Sequence, residues 1–316
     1  MNLWGDKRYH SLDYEVKQNF GEKLYKIALD GGMTCPNRDG TLSSRGCIFC
    51  SAGGSGDFAG NRDTSIKEQL AFGRKLVKAK HTGSSYIAYF QAYTNTYAPI
   101  DYLEKQFMEA IAEPDVKVLS IATRPDCLSG DVIQLLSRLN QIKPVWVELG
   151  LQTIHPATAD FIRRYYTLDV FEKAVYDLEK VGIEVIVHTI LYLPNETEEM
   201  MLETIDYLNQ LPICGIKLQL LHVLKGTDLA TVYEKEPFPL PTLDEYLIML
   251  GKIITRLRPD IVIHRLTGDG PKDILIAPLW TGNKRQVLNR MQQYFKDADI
   301  WQGKEISCQN HSHSIN

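Results

Sequence analysis

The most informative segment of the chain reads CPNRDGTLSSRGCIFC, from Cys35 to Cys50. Eleven residues separate Cys35 from Cys47, and two separate Cys47 from Cys50. A Cys-x-x-Cys turn presents two thiolates to one metal centre, and the longer arm brings a third thiolate from the other side. Three thiolates bind three irons of a [4Fe–4S] cube and leave the fourth iron open. The spacing therefore favours an iron–sulfur cluster held by Cys35, Cys47 and Cys50.

A structural zinc ion is the alternative interpretation of these cysteines. Zinc needs four nitrogen or sulfur ligands in a structural site, and the next candidates after Cys50 are His81 and Cys127. The scattered cysteines Cys127, Cys214 and Cys308 form no second Cys-x-x-Cys pair. This distribution indicates a metal site in a reducing compartment rather than a disulfide framework.

Apolar, β-branched runs alternate with amphipathic helical stretches along the centre of the chain. Continuous apolar runs are typical of strands that are buried on both faces of a parallel sheet. We therefore expect an α/β fold, a partial TIM-like (β/α)6–7 barrel. The predicted strands are Tyr25–Asp30, Tyr86–Gln91, Lys117–Thr123, Val145–Leu151, Ile183–Leu191, Gly215–His222 and Ile261–Leu266.

Three parts are expected along the chain. An N-terminal arm occupies residues 1–24, the barrel occupies residues 25–270, and a C-terminal extension with a helix and a flexible tail occupies residues 271–316. The first strand–helix connection, residues 31–63, is far longer than the two to six residues that are usual for such loops. A loop of this length needs a function or a metal to organise it, and this one contains the three clustered cysteines.

Composition and charge restrict the class of protein. The chain is 44% hydrophobic and 23% charged, with a net charge of −4, so its overall charge gives no sign of nucleic-acid binding. A local basic face remains compatible with an RNA substrate. No apolar run reaches the roughly 18 residues of a membrane span, and the N-terminus lacks the apolar core of a signal peptide. We expect a cytoplasmic protein without a membrane partner.

The three cysteines, with Phe49 directly before the last one, resemble the radical S-adenosylmethionine (SAM) superfamily. The long first spacing is similar to that of a subset that includes the radical-SAM domain of the elongator catalytic subunit. Further runs resemble this subset, or a bacterial family related to it. In chain order they are Phe90–Tyr97, Thr123–Asp126, Glu148–Gln152, His188–Pro194, Leu221–Thr227 and His264–Leu266.

This resemblance implies a radical SAM enzyme with a [4Fe–4S] cluster and SAM as cofactors. The open iron of the cluster binds the amino and carboxylate groups of SAM, and reductive cleavage yields a 5′-deoxyadenosyl radical. A flavodoxin- or ferredoxin-type protein is the implied electron donor. The implied substrate is tRNA, at the C5 side chain of the wobble uridine, with conversion of a carboxymethylaminomethyl group to an aminomethyl group.

The resemblance and the polar residues at the strand ends together select the expected SAM contacts. Phe49 is implied to pack near the adenine, Asn95 and Thr96 to bind the SAM amino group, and Glu148 with Gln152 to bind the ribose hydroxyls. A structural hydrogen bond is the alternative for each residue taken singly. The full set of expected SAM contacts is Phe49, Gln91, Tyr93, Asn95, Thr96, Thr123, Arg124, Glu148, Gln152 and His188.

The later polar residues His222, Lys225 and Arg265 are expected to face the substrate in catalytic roles, and the two cations suit a phosphate or carboxylate. Two short basic stretches with aromatic neighbours, Arg163–Tyr166 and Asn283–Arg285, either bind unpaired bases or form ordinary solvated surface. Two other functions remain open: a radical SAM enzyme that acts on a small molecule or peptide, and a non-catalytic zinc-binding protein.

Overall fold

The computed structural model describes residues 4–306, apart from residues 55, 79–82 and 269. His81, Cys308 and the predicted flexible tail lie outside the described residues. Within these ranges, no helix is both long enough and apolar enough to cross a membrane.

Seven parallel strands form one sheet, which curls into an open half-barrel. Each predicted strand is present, so the expectation of a partial TIM-like barrel is confirmed. The strands are β1 (Tyr25–Leu29), β2 (Tyr86–Phe90), β3 (Val116–Thr123), β4 (Val145–Gln152), β5 (Glu184–Leu191), β6 (Gly215–Leu220) and β8 (Val262–Arg265), paired in that order. A short antiparallel pair that the sequence analysis did not predict joins β7 (Val223–Leu224) to β9 (Leu275–Ala277).

Most of the helices lie in the connections between strands, while α1 (Leu12–Phe20) precedes β1 and packs against the inner face of the sheet. Two of them begin with a capping box, in which Ser65 and Thr242 accept hydrogen bonds from the backbone of Glu68 and Glu245. The predicted C-terminal helix is also present, as α10. The helices are α1 (Leu12–Phe20), α2 (Ile66–Val77), α3 (Ile100–Ile111), α4 (Gly130–Asn140), α5 (Pro156–Phe161), α6 (Leu168–Glu179), α7 (Glu198–Leu208), α8 (Asp228–Lys235), α9 (Leu243–Arg256) and α10 (Lys284–Asp297).

Alternate residues of a strand point to opposite faces of the sheet, so every second residue faces inward. The inward-facing residues of neighbouring strands lie side by side and form three layers. The lowest layer is apolar and packs against Val16 of α1; its members are Ile87, Val118, Trp146 and Ile186. The middle layer is polar and consists of Tyr89, Ser120, Glu148, His188 and Lys217. The upper layer borders a cavity and includes Gln91, Ala122, Gly150, Ile190 and Gln219.

The N-terminal arm and the C-terminal segment meet at the β8 edge of the sheet. The backbone N–H of Ile263 donates to the carbonyl of His10 at 2.7 Å. Gln302, which is fully buried, accepts from the N–H of His10 at 2.8 Å and donates to the carbonyl of Ile261 at 2.8 Å. One side of the half-barrel is closed in this way. The boundaries of the three predicted parts stay a prediction.

Candidate active site

A cavity of about 260 Å³ lies between the carboxyl ends of the strands and the cysteine loop. Cys35, Cys47 and Cys50 all line it, and none of the three is in a disulfide. Phe49 lines it as well. The carboxyl ends of the strands are where β/α barrels carry their reactive groups. The three cysteines therefore occupy the position at which this fold places catalysis.

Hydrogen bonds hold the cysteine loop in place, both within the loop and to a later part of the barrel. Asn37 is fully buried; its side-chain amide donates to the carbonyl of Arg163 at 2.9 Å and lies 3.4 Å from the sulfur of Cys47. The guanidinium of Arg38 donates to the carbonyl of Cys50 at 3.1 Å. Neither residue was predicted from the sequence, because only the folded chain brings their partners close.

The three thiols fit an iron–sulfur cluster better than one zinc ion. In the part of the chain that the structure describes, no three His, Cys, Asp or Glu side chains lie close enough to bind a single metal ion. A [4Fe–4S] core binds each of three thiolates on a separate iron, so it does not require them to converge on one metal ion. A hydrogen bond with Cys50 and burial raise the pKa of the Cys47 thiol well above its ordinary value, and a bound metal centre would favour its thiolate form.

The glycine-rich loop that follows Cys50 folds directly against the ring of Tyr93. Gly54 has a φ of +59°, and a Cβ there would lie 2.4 Å from a ring carbon of Tyr93. The hydroxyl of Tyr93 donates to the carbonyl of Ala52 at 2.7 Å, while Arg38 and Arg62 lie 5.8 Å and 5.7 Å from its ring centroid. The loop can approach the cavity this closely only because Gly54 has no side chain.

Gly54→Ala is therefore expected to weaken cluster binding. The left-handed backbone and the clash with Tyr93 impose about 1–3 kcal/mol of local strain, so we expect roughly half or less of the wild-type iron content after reconstitution. Iron analysis of the anaerobically reconstituted protein measures this. Gly130→Ala is the matched control, because nothing lies within 4 Å of a Cβ at Gly130. Equal iron content in the two variants would contradict the packing argument.

Most of the expected SAM contacts line the cavity, but two do not. The side-chain amide of Asn95 donates to the carbonyls of Phe90 and Ala122, at 3.0 Å and 2.9 Å. The hydroxyl of Thr96 lies 2.6 Å from that of Thr123. Asn95 and Thr96 thus hold the connection after β2. The expected contacts that line the cavity are Phe49, Gln91, Tyr93, Thr123, Arg124, Glu148, Gln152 and His188.

Of the three residues expected to face the substrate, His222 and Arg265 line the cavity and Lys225 does not. Gly268 makes room for the imidazole ring, because a Cβ at Gly268 would lie 2.2 Å from Cε1 of His222. Lys225 has an exposed side chain, and its backbone N–H donates to the carbonyl of Ile274 at 2.7 Å.

Two arginines near the cysteines are held by structural contacts. Arg124 makes a two-pronged ion pair with Asp126, at 2.9 Å and 2.7 Å. Arg164 is buried and donates to the carbonyls of Leu151 and Thr153 at 3.1 Å and 2.6 Å. Arg163 pairs with Asp228. The basic stretch from Arg163 therefore lies mostly within the fold and gives no support to RNA binding there.

Glu148 is the centre of the polar layer at the floor of the cavity. One carboxylate oxygen accepts from the ammonium of Lys26 and the hydroxyl of Ser120, each at 2.7 Å. The other oxygen accepts from Nε2 of His188 at 2.7 Å and from the ammonium of Lys217. The ribose contact expected for Glu148 remains a proposal, and these four donors already hold its carboxylate.

The charges in this layer follow from its burial. Burial alone would raise the pKa of Glu148, but Lys217 and Lys26 outweigh that effect and hold the pKa well below its usual value. Burial, with a contribution from Lys217, lowers the pKa of His188 to about 4. At neutral pH Glu148 is therefore an anion and His188 is neutral, with the proton on Nε2 directed at Glu148.

Comparison with known proteins identifies the class of enzyme. The model of the Radical SAM superfamily matches residues 41–208, and that of the Radical_SAM C-terminal domain matches residues 213–297. The chain therefore belongs to the radical SAM superfamily, whose members use a [4Fe–4S] cluster and SAM. Among its relatives is YtqA of Bacillus subtilis, which is 44% identical over 95% of this chain and 93% of that protein.

Two more distant matches relate the chain to proteins of tRNA modification by name and to a solved structure by fold. The tRNA uridine(34) acetyltransferase of Methanocaldococcus jannaschii is 24% identical over 66% of this chain and 38% of its own length. The structure of Methanocaldococcus infernus Elp3, with an N-terminal deletion, superposes with a TM-score of 0.66 at 16% identity. That match covers 88% of this chain and 64% of the Elp3 chain, and it shows a shared fold.

Proposed function

We propose that this radical SAM enzyme modifies the C5 side chain of the tRNA wobble uridine, converting carboxymethylaminomethyl to aminomethyl. The observation that carries the proposal is the likeness, over 66% of the chain, to a protein named as a tRNA uridine(34) acetyltransferase. The fold shared with Elp3 agrees with it. We propose tRNA as the substrate and a flavodoxin- or ferredoxin-type protein as the electron donor.

An exposed aromatic ring at the cavity supports an unpaired base as the ligand. Phe58 lines the cavity although 58% of its surface is exposed, so its ring is available to a molecule that enters. Proteins hold unpaired bases by stacking them on aromatic side chains. A wobble base belongs to a single-stranded loop and can be turned out toward such a ring. We propose Phe58 as this stacking surface.

The proposed chemistry balances as an oxidation. The bond between the amine nitrogen and the carboxymethyl carbon breaks, water supplies the aldehyde oxygen of glyoxylate, and an electron pair passes to SAM, which becomes methionine and 5′-deoxyadenosine. When bound, the cluster and SAM supply the radical that removes a hydrogen atom from the substrate. We propose that Cys35, Cys47 and Cys50 hold the cluster and that His222 and Arg265 face the uridine.

Nucleoside analysis of tRNA tests the proposal. Purified enzyme with SAM and a reductant is incubated with tRNA from a strain that lacks the gene, and the digested nucleosides are quantified by mass spectrometry. We expect carboxymethylaminomethyl-uridine to fall and aminomethyl-uridine to rise by the same amount, with an equal amount of glyoxylate. Unchanged tRNA, with SAM cleavage that responds to a small molecule or a peptide, would favour that rival substrate class instead.

A further inference from the structure

We infer that Lys217 recognises the carboxylate of the substrate side chain and makes the enzyme selective for a uridine whose C5 substituent ends in a free carboxylate. This inference rests on the proposed function and adds to it the residue that distinguishes the carboxylate from an uncharged group of similar size.

Lys217 is a buried cation at the floor of the cavity. It lies in the middle of β6, its side chain is 6% exposed, and it lines the same cavity as the three cysteines. Below it is the apolar layer that contains Trp146. A substrate group that reaches the floor from the mouth of the cavity therefore meets Lys217 before any apolar side chain of that layer.

The ammonium of Lys217 has a donor to spare. An ammonium carries three N–H donors. Among the described residues, Lys217 donates to two acceptors, the carboxylate of Glu148 and the hydroxyl of Tyr89, the latter at 3.1 Å. One N–H is left for a ligand in the cavity. A carboxylate oxygen is the acceptor that gains most from such a contact, because both partners are charged.

The charges at the floor also favour an anion. Lys217 and Lys26 share one carboxylate, that of Glu148, so two ammonium groups face one counter-charge. His188 is neutral at neutral pH, so it does not change this charge balance. A carboxylate from the substrate would balance the remaining positive charge, whereas an amide or ester would not.

Burial lowers the pKa of Lys217 well below its ordinary value against the opposing effect of Glu148, which reflects the free-energy cost of burying the charged form. A bound carboxylate offsets that cost. The same free energy then appears as a preference for the charged ligand over its uncharged analogue.

Lys26 provides a matched control for Lys217. Both ammonium groups bind the same carboxylate of Glu148, and Lys26 does so at 2.7 Å. Lys217 lines the cavity and Lys26 does not. Replacing either lysine leaves Glu148 with one ammonium, Ser120 and His188, so neither change strands a buried carboxylate without partners. The two variants differ in whether they remove a group that the substrate can touch.

The test is equilibrium binding of two anticodon stem–loops, one with carboxymethylaminomethyl-uridine at the wobble position and one with the corresponding amide. Binding is measured by fluorescence anisotropy without SAM, so that the carboxylate of SAM plays no part. We expect the wild type to bind the acid roughly 10- to 100-fold more tightly than the amide, as the loss of a hydrogen bond between charged groups implies. Lys217→Gln should bind both equally, and Lys26→Gln should keep the preference.

Lys217→Arg, which keeps the charge, should retain most of the preference. A general loss of folding would weaken both stem–loops alike and leave the ratio unchanged, so the ratio isolates recognition of the carboxylate. The inference is overturned if Lys217→Gln keeps the preference or if Lys26→Gln loses it equally. In either case the wild type can still convert tRNA, and the proposed function stands. A wild type that neither prefers the acid nor converts tRNA overturns both.

Discussion

Cys47→Ala is expected to abolish cluster assembly and reduce 5′-deoxyadenosine formation to background. Among the described residues, Cys35 and Cys50 would be the cysteines left on the cavity wall, and two thiolates leave two irons of the cube without protein ligands. Cleavage of SAM depends on the iron–sulfur cluster, and no protein side chain can supply that chemistry in its place. Visible absorbance, iron content and 5′-deoxyadenosine after anaerobic reconstitution measure the effect.

Cys214→Ala is the matched control for this variant. Cys214 is an exposed free cysteine directly before β6, and it is not among the residues that line the cavity. The control should bind iron and cleave SAM as the wild type does. A Cys47→Ala protein with a full complement of iron and sulfide, or a wild type that instead holds tightly bound zinc, would refute the cluster assignment.

Glu148→Gln is expected to destabilise the fold by about 3–5 kcal/mol, because it leaves the buried ammonium of Lys217 and the partly buried ammonium of Lys26 without their counter-charge. The Glu148 side chain has no exposed surface, and both ammonium groups contact it directly. Urea denaturation of the cluster-free protein measures the change in the free energy of unfolding.

Glu104→Gln supplies the comparison, since Glu104 pairs with Arg138 at the surface and the two side chains are 43% and 57% exposed. A pair so exposed to solvent contributes less than about 1 kcal/mol. The double variant Glu148→Gln/Lys217→Met should recover part of the loss, because it removes one of the stranded charges. A Glu148→Gln protein as stable as Glu104→Gln would show that the polar layer does not balance charge in the way described.

The strands and the three cysteines were accessible to prediction because their signals are local. An apolar run such as Val145–Leu151 identifies a buried strand without knowledge of its neighbours. The three cysteines likewise lie within one loop, so their spacing indicates a metal site without knowledge of the rest of the fold. The antiparallel pair of β7 and β9 lacked such a signal, since each strand is only two or three residues long.

The polar layer was not accessible in the same way. Lys26 and Glu148 are 122 residues apart in sequence, and their contact depends on which strands are neighbours and in what register. Lys217 gave one usable signal, a charge in the middle of the apolar run Gly215–Leu220. Asn95 resembled a ligand contact by motif, yet its side chain binds backbone carbonyls. Only the folded chain distinguishes these roles.

The most direct test of the account is the rate of 5′-deoxyadenosine formation by the reduced, reconstituted enzyme, with and without tRNA from a strain that lacks the gene. We predict that this tRNA stimulates the rate and that each 5′-deoxyadenosine is matched by one aminomethyl-uridine. A rate that tRNA leaves unchanged, in an enzyme that cleaves SAM, would contradict the proposed substrate.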